Sequence, residues 1–261
     1  MTQDSLRTLL NATDLDLIDL DFIATHKEML PERQRGRAEQ IVSSELFQQW
    51  LVSTQPSKLL IHWDNQPPRS ISGVSPLSTF VASLGQAVRQ KQRFMSLHWF
   101  CGRHADADVA GPYIGGCAML VSLVDQLLRQ YAFDTYQLHN FINISSLTSG
   151  NINELMRLFL FLMGQLPQTM TILCFIDGAY LYERDEFCNE AVPIMRYLVG
   201  LASPQSRPMA ATFKVMLTST PGTNDLRCDF EDEELILNVD NLARLSWAPS
   251  DERMEREILG E

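Results

Sequence analysis

Five short apolar runs, separated by helix-patterned stretches, restrict this chain to a small set of folds. They are "KLLIHW" (58–63), "FMSLHWFC" (94–101), "TILCFID" (171–177), "FKVMLTST" (213–220) and "ELILNV" (234–239). Runs this short and this continuously apolar read as strands buried on both faces, since polar alternation marks a strand with one wet face. Amphipathic stretches lie between them. One runs over 76–90 with Pro76 at its first turn, and others are "GGCAMLVSLVDQLLRQY", "NINELMRLFLFLMGQL" and "NEAVPIMRYLVGLA". Asn151 is placed to cap the third of these, with Glu154 three residues on. Such alternation predicts a three-layer α/β fold: a P-loop- or Rossmann-like parallel sheet with helices on both faces.

Residues 1–57 contain no such run. Apolar residues recur there every three or four positions, as in "LDLIDLDFIATHKEML", so this part reads as a helical N-terminal extension. The α/β domain is expected over 58–240 and an acidic tail over 241–261. The net charge of −11 is uneven: residues 225–261 hold 12 acids and 4 arginines. The body is therefore nearly neutral, which argues against non-specific nucleic-acid binding. No stretch approaches the length of a membrane span, and "MTQDSLRTLL" lacks the apolar core of a signal peptide, so a cytoplasmic protein without membrane contact is expected. The five cysteines are widely spaced with no C-x-x-C and no metal-ligand spacing to histidine, which predicts reduced, structural thiols and no metal or cofactor.

Ligands of parallel sheets bind beyond the carboxyl ends of the strands. The loops after Trp63, Cys101, Ile176 and Thr218 should therefore border one crevice, with Gly73, Thr218 and Ser219 among its ligand-binding residues. Asp177 ends the third run, and with Glu183 it could form a carboxylate pair that holds a cation or moves protons. Alternatively, Asp177 caps the next turn. Ser75 precedes a helix, where it could act as nucleophile or anion ligand, or could simply be the N-cap. Arg103 and His104, in "CGRHADAD", are expected at the crevice as anion and ligand contacts. His98, inside an apolar run, reads as a core histidine, and "RQKQR" (89–93) as cations favoured at a helix end.

The order of these pieces resembles the fungal STAND-type (NACHT-like) P-loop NTPase domain over roughly 47 to 240. "FQQWL" with "KLLIHW" is similar to its first helix and strand, and "SPLSTFVASL" to the next helix. "TILCFIDGAYLYE" resembles a Walker B strand with Asp177 at the metal-associated carboxylate, and "KVMLTSTP" resembles the sensor strand. The departures bear on function. A P-loop cradles phosphate with glycine amides and a lysine. The loop "DNQPPRSISGVSP" holds one glycine and no lysine, Pro67 and Pro68 remove amide donors, and Thr220 replaces the family's arginine. The resemblance thus implies a stand-alone degenerate domain that has lost ATP hydrolysis and binds a small-molecule or protein ligand in its crevice. "GVSP" also resembles the stretch carrying the nucleophilic serine of cyclodipeptide synthases, whose Tyr and Glu lie four residues apart, where this chain offers Tyr180 and Glu183 at a spacing of three. That second resemblance implies an aminoacyltransferase using aminoacyl-tRNA, of the fungal arginine-containing type.

Overall fold

The computed structural model of the chain describes residues 1–11, 14–64, 68–203, 209–221, 225–230, 233–243 and 250–259. Pro67 and the acidic pair Glu231 and Asp232 lie outside these. Four helices come first: α1 (Gln3–Leu9), α2 (Leu15–His26), α3 (Glu32–Glu39) and α4 (Glu45–Val52). Strand β1 (Ser57–His62) leads to α5 (Pro76–Arg89), and β2 (Phe94–Phe100) to α6 (Ala107–Ala110), α7 (Gly115–Gln130), α8 (Ile144–Thr148) and α9 (Ile152–Met163). Then follow β3 (Thr171–Asp177), α10 (Cys188–Leu201), β4 (Thr212–Ser219), β5 (Ile236–Asn238) and α11 (Asp251–Leu259).

All five expected runs are strands of one parallel sheet, in the order β2-β3-β4-β1-β5. The chain crosses from β1 to the far edge at β2, steps back through β3 and β4, and passes over β1 to β5. Parallel crossovers are right-handed, so reversing direction along the sheet moves the connecting helices to the opposite face. Accordingly α5 covers one face, packed on Leu59, Ile61 and Phe175, while α7, α9 and α10 cover the other, packed on Leu60, Ile172 and Ile176. Burial on both faces explains the continuous apolar runs. Their last residues break the pattern: His62, Asp177, Thr218 and Ser219 are polar yet buried, and all lie at the carboxyl end of the sheet.

The N-terminal helices are built into the domain rather than appended to it. Leu6 and Leu10 at α1 enter the core on the α7 side, whereas Leu20, Ile23, Ala38 and Phe47 of α2 to α4 enter the α5 side. Helix α2 also inverts the expected orientation. Asp16 and Asp19 are buried, while Leu17 and Ile18 stand 44% and 54% exposed. The cause is electrostatic, because the surface beneath α2 carries Arg89, Arg129 and His104. Arg89 of the "RQKQR" run is therefore an internal ion-pair partner. His98 is a core histidine as read, stacked on Phe175, and burial beside Arg89 pushes its pKa well down, leaving the ring neutral. Cys101 and Cys174 are buried free thiols, and burial raises Cys174 to about 12.

The acidic tail needs correction. Residues 251–259 form α11, which packs on α5 with Met254 buried in the core and Ile258 against it; the side chain of Leu259 lies outside the described set. Arg253 adds an ion pair to the largely buried Glu39. Burying one methionine contributes about 2 kcal/mol, so deleting the chain from Glu252 onward should lower the melting temperature by on the order of 5 °C. A thermal melt superimposable on that of the intact chain would show that α11 adds nothing. Among the described residues, no helix is long and apolar enough to cross a membrane.

Candidate functional site

Where β1 and β4 lie side by side, their onward connections leave on different paths and a crevice opens, as expected at a topological switch point. It holds a cleft of about 570 Å³ bordered by the loops after β1, β2, β3 and β4. That volume suits a small organic ligand.

The wall after β1 is the loop that a P-loop would occupy. Here it makes a tight hairpin turn: Ile71 and Val74 exchange two backbone hydrogen bonds of 2.9 Å, and the central residues Ser72 and Gly73 have φ of 50° and 79°. Positive φ at both central positions defines the hairpin-favouring turn class that glycine eases. Gly73 then lies backbone to backbone against Gly102, in the turn after β2. A Cβ on Gly73 would sit 2.0 Å from the Gly102 carbonyl oxygen, and one on Gly102 would sit 2.3 Å from that of Gly73.

Next comes the N-terminus of α5. Ser75 Oγ accepts from the Ser78 N–H at 3.1 Å, and Ser78 Oγ accepts from the Ser75 N–H at 2.9 Å. This reciprocal capping box occupies the Ser75 and Ser78 amides, and Pro76 at the first helical position has none to offer. Ser78 Oγ donates in turn to Asp177 Oδ2 at 2.6 Å. Thr218 Oγ1 donates to the other carboxylate oxygen at 2.5 Å and accepts from the Gly178 N–H at 2.9 Å. Burial pushes the Asp177 pKa up, while the Ser78 and Thr218 hydroxyls oppose that shift. Its carboxylate is thus satisfied by two protein hydroxyls, and no cationic side chain is bonded to it among the described contacts.

The expected site residues divide into two groups. Gly73, Ser75, Asp177, Tyr180, Thr218 and Ser219 all line the cleft. Glu183 does not: its carboxylate accepts from the Leu226 N–H at 2.7 Å, fastening the turn after β3 to the segment before β5. Asp177 and Glu183 therefore do not form a pair across the cleft. Arg103 and His104 also turn away. The Arg103 guanidinium lies 3.5 Å from the Phe22 ring centroid, and both ring nitrogens of His104 are bonded 2.7 Å from the Asp19 carboxylate and the Tyr113 carbonyl. Among the described residues, the cationic side chain that does line the cleft is Arg184, which shares it with Asp106 and Glu186.

Two features escaped the sequence reading. Ser78 was announced by the S-x-x-S spacing from Ser75, a capping-box signature. His62 and Asp64 form a bonded pair at the end of β1, with Asp64 held by Asn238 at 3.1 Å; the H-x-D spacing at a strand end was its signal. Among the described residues, no group of three or more His, Cys, Asp or Glu is placed to hold a metal ion. No protein-family model, curated protein or solved structure matches the chain.

Proposed function

We propose that the chain is a degenerate P-loop-type domain of STAND-like architecture that has lost ATP hydrolysis and uses its cleft to bind a ligand or the polar groups of a partner. The observation that carries this reading is the internal satisfaction of the phosphate- and metal-facing groups. Phosphoryl transfer depends on amides, a lysine and a metal ion converging on the γ-phosphate. Here the Ser75 and Ser78 amides close on each other's hydroxyls, Asp177 is bonded to Ser78 and Thr218, and Gly73 packs on Gly102. With Asp106, Asp177 and Glu186 around the cleft against Arg184, its charge opposes a triphosphate. Such a cleft favours a neutral polar ligand, or one carrying an amine or guanidinium. Calorimetry should detect no micromolar binding of Mg·ATP and no ATPase activity above background. Tight Mg·ATP binding that Asp177→Ala abolishes would overturn the proposal.

The aminoacyltransferase alternative draws support from Ser75, Tyr180 and Asp177 sharing one cleft. It also needs Ser75 free to attack and Glu183 near it, whereas Ser75 caps α5 and Glu183 is bonded to Leu226. A host expressing the chain would decide: a new diketopiperazine in its extracts, lost in Ser75→Ala, favours the enzyme.

A further inference from the structure

The cleft wall formed by the turn after β2 is held from outside the cleft by an acidic helix. Gly102, Ala105, Asp106 and Ala107 line the cleft, and the two residues between Gly102 and Ala105 are the ones that turn outward to α2. His104 Nε2 meets Asp19 Oδ2 at 2.7 Å, its Nδ1 meets the Tyr113 carbonyl at 2.7 Å, and its ring lies on Trp99 with centroids 4.0 Å apart. Arg103 approaches the other oxygen of Asp19 at 3.5 Å, lies over Phe22, and donates to the Ser72 carbonyl at 3.3 Å. One side chain thus links α2, the turn after β2 and the hairpin turn after β1.

One turn earlier, Asp16 anchors the same helix on Arg129 and, at 3.4 Å, on Arg89. Arg129 also binds Asp125 at 3.0 Å, and Asp125 binds Arg7 of α1 at 2.6 Å. Helix α2 therefore docks through two buried carboxylates together with Leu20 and Ile23, and leaves Leu17 and Ile18 outside. This mode of docking responds steeply to charge. A complete buried ion pair contributes little net stability against hydration of its parts, but removal of one partner leaves the other charge buried and unpaired. A helix docked with Leu17 and Ile18 inward would lack that sensitivity.

From this arrangement we infer that α2 is a charge-locked strap on the cleft rim: Asp19, through Arg103 and His104, sets the position of residues 102–107, and release of α2 opens that wall. The effect on binding rests on the cleft being a ligand site, as proposed above. The mechanical coupling does not, and it is measured on the unliganded chain.

Hydrogen exchange of the full chain read by mass spectrometry provides the test, comparing Asp19→Asn with Asp21→Asn, which removes an exposed acid from the same helix. In Asp19→Asn, the amides of 15–26 and of 102–110 should together exchange roughly tenfold faster or more, while β3 and α9 keep their protection. Asp21→Asn should match the wild type. Loosening of α2 with unchanged exchange over 102–110 would reduce the helix to a passive cover and overturn the inference, as would unchanged exchange in both segments. If Asp19→Asn does not fold, His104→Gln breaks the same contact from the rim side and is read by the same two outcomes.

Discussion

Gly73→Ala should destabilise the domain by about 3 kcal/mol or more, combining a left-handed backbone penalty with overpacking against an unyielding neighbour. The two parts are separable. At φ 79° any side chain is strained, and its Cβ would also lie 2.0 Å from the oxygen and 2.5 Å from the carbon of the Gly102 carbonyl. Backbone cannot rotate aside as a long side chain would, so either the hairpin turn Ile71–Val74 or the turn after β2 must shift. Gly178 isolates the first part, since it is left-handed, with φ 72° and ψ 36°, but its Cβ would meet nothing closer than 3.5 Å. Gly178→Ala should therefore cost clearly less than Gly73→Ala in urea titrations of both variants. Equal losses would mean that the contact between the two glycines does not fix the cleft floor. Because that contact joins the loops after β1 and β2, the Gly73 variant should also lose hydrogen-exchange protection around both turns.

The same glycine shows what could be read from the sequence and what could not. Its loop carries two prolines and no lysine, which are local facts of the sequence. That it becomes a two-residue hairpin packed on another glycine depends on β2 delivering Gly102 to the same place, and pairing across thirty residues leaves no local trace. The strands were legible because burial on both faces writes itself into every residue of a run. "TILCFID" coincides with β3, and the other four runs differ from their strands by one or two residues at an end. Helix caps were legible for the same local reason. Asn151 accepts from the Glu154 N–H at 3.2 Å, although the Glu154 carboxylate reaches Asn143 instead of returning to the cap.

Residue polarity misled where tertiary charge overrode it. An acid on a helix is ordinarily a solvent residue, and nothing near Asp16 or Asp19 in the chain announces Arg89, Arg129 or His104. Arg103 and His104 failed as cleft residues for the reciprocal reason, since their partners arrive from α2. Asp177, Thr218 and Ser219 line the cleft from strand ends, where the sheet itself dictates direction, and Ser75 and Tyr180 line it from a helix cap and a turn. Arg103, His104 and Glu183 also sit in turns, where a side chain follows its nearest partner, and theirs lie elsewhere.

Lys214 should make the domain grow more stable as pH rises from about 8 to 10.5. It is fully buried in β4, where Nζ donates to the carbonyls of Trp50 at 2.5 Å and Leu51 at 2.9 Å, two of the orphan acceptors at the C-terminus of α4. Its register partners are Ser57 and Leu173, near the amino ends of β1 and β3, so it stands at the end of the sheet away from the cleft. Burial, with a smaller repulsion from Arg93, pushes its pKa down from 10.5 to about 8. Below pH 8 the lysine is charged in both folded and unfolded chains, and the desolvation penalty is present in full. Between the two pKa values the folded state has released its proton while the unfolded state still holds one, so stability increases with pH. At about 1.4 kcal/mol per pKa unit the gain approaches 3 kcal/mol once pH exceeds 10.5. The neutral amine still donates to both carbonyls, so the cap on α4 survives deprotonation. Other groups titrate in this range, and the quantity to measure is the stability of wild type minus that of Lys214→Met across pH 7 to 10.5. It should be flat below pH 8 and then climb. A Lys214→Arg chain, which stays charged throughout, should show no such climb relative to Lys214→Met. Parallel wild-type and Lys214→Met curves over the whole range would show that water reaches the amine and leaves its pKa unshifted, whereas a climb already under way at pH 7 would show that it is neutral there.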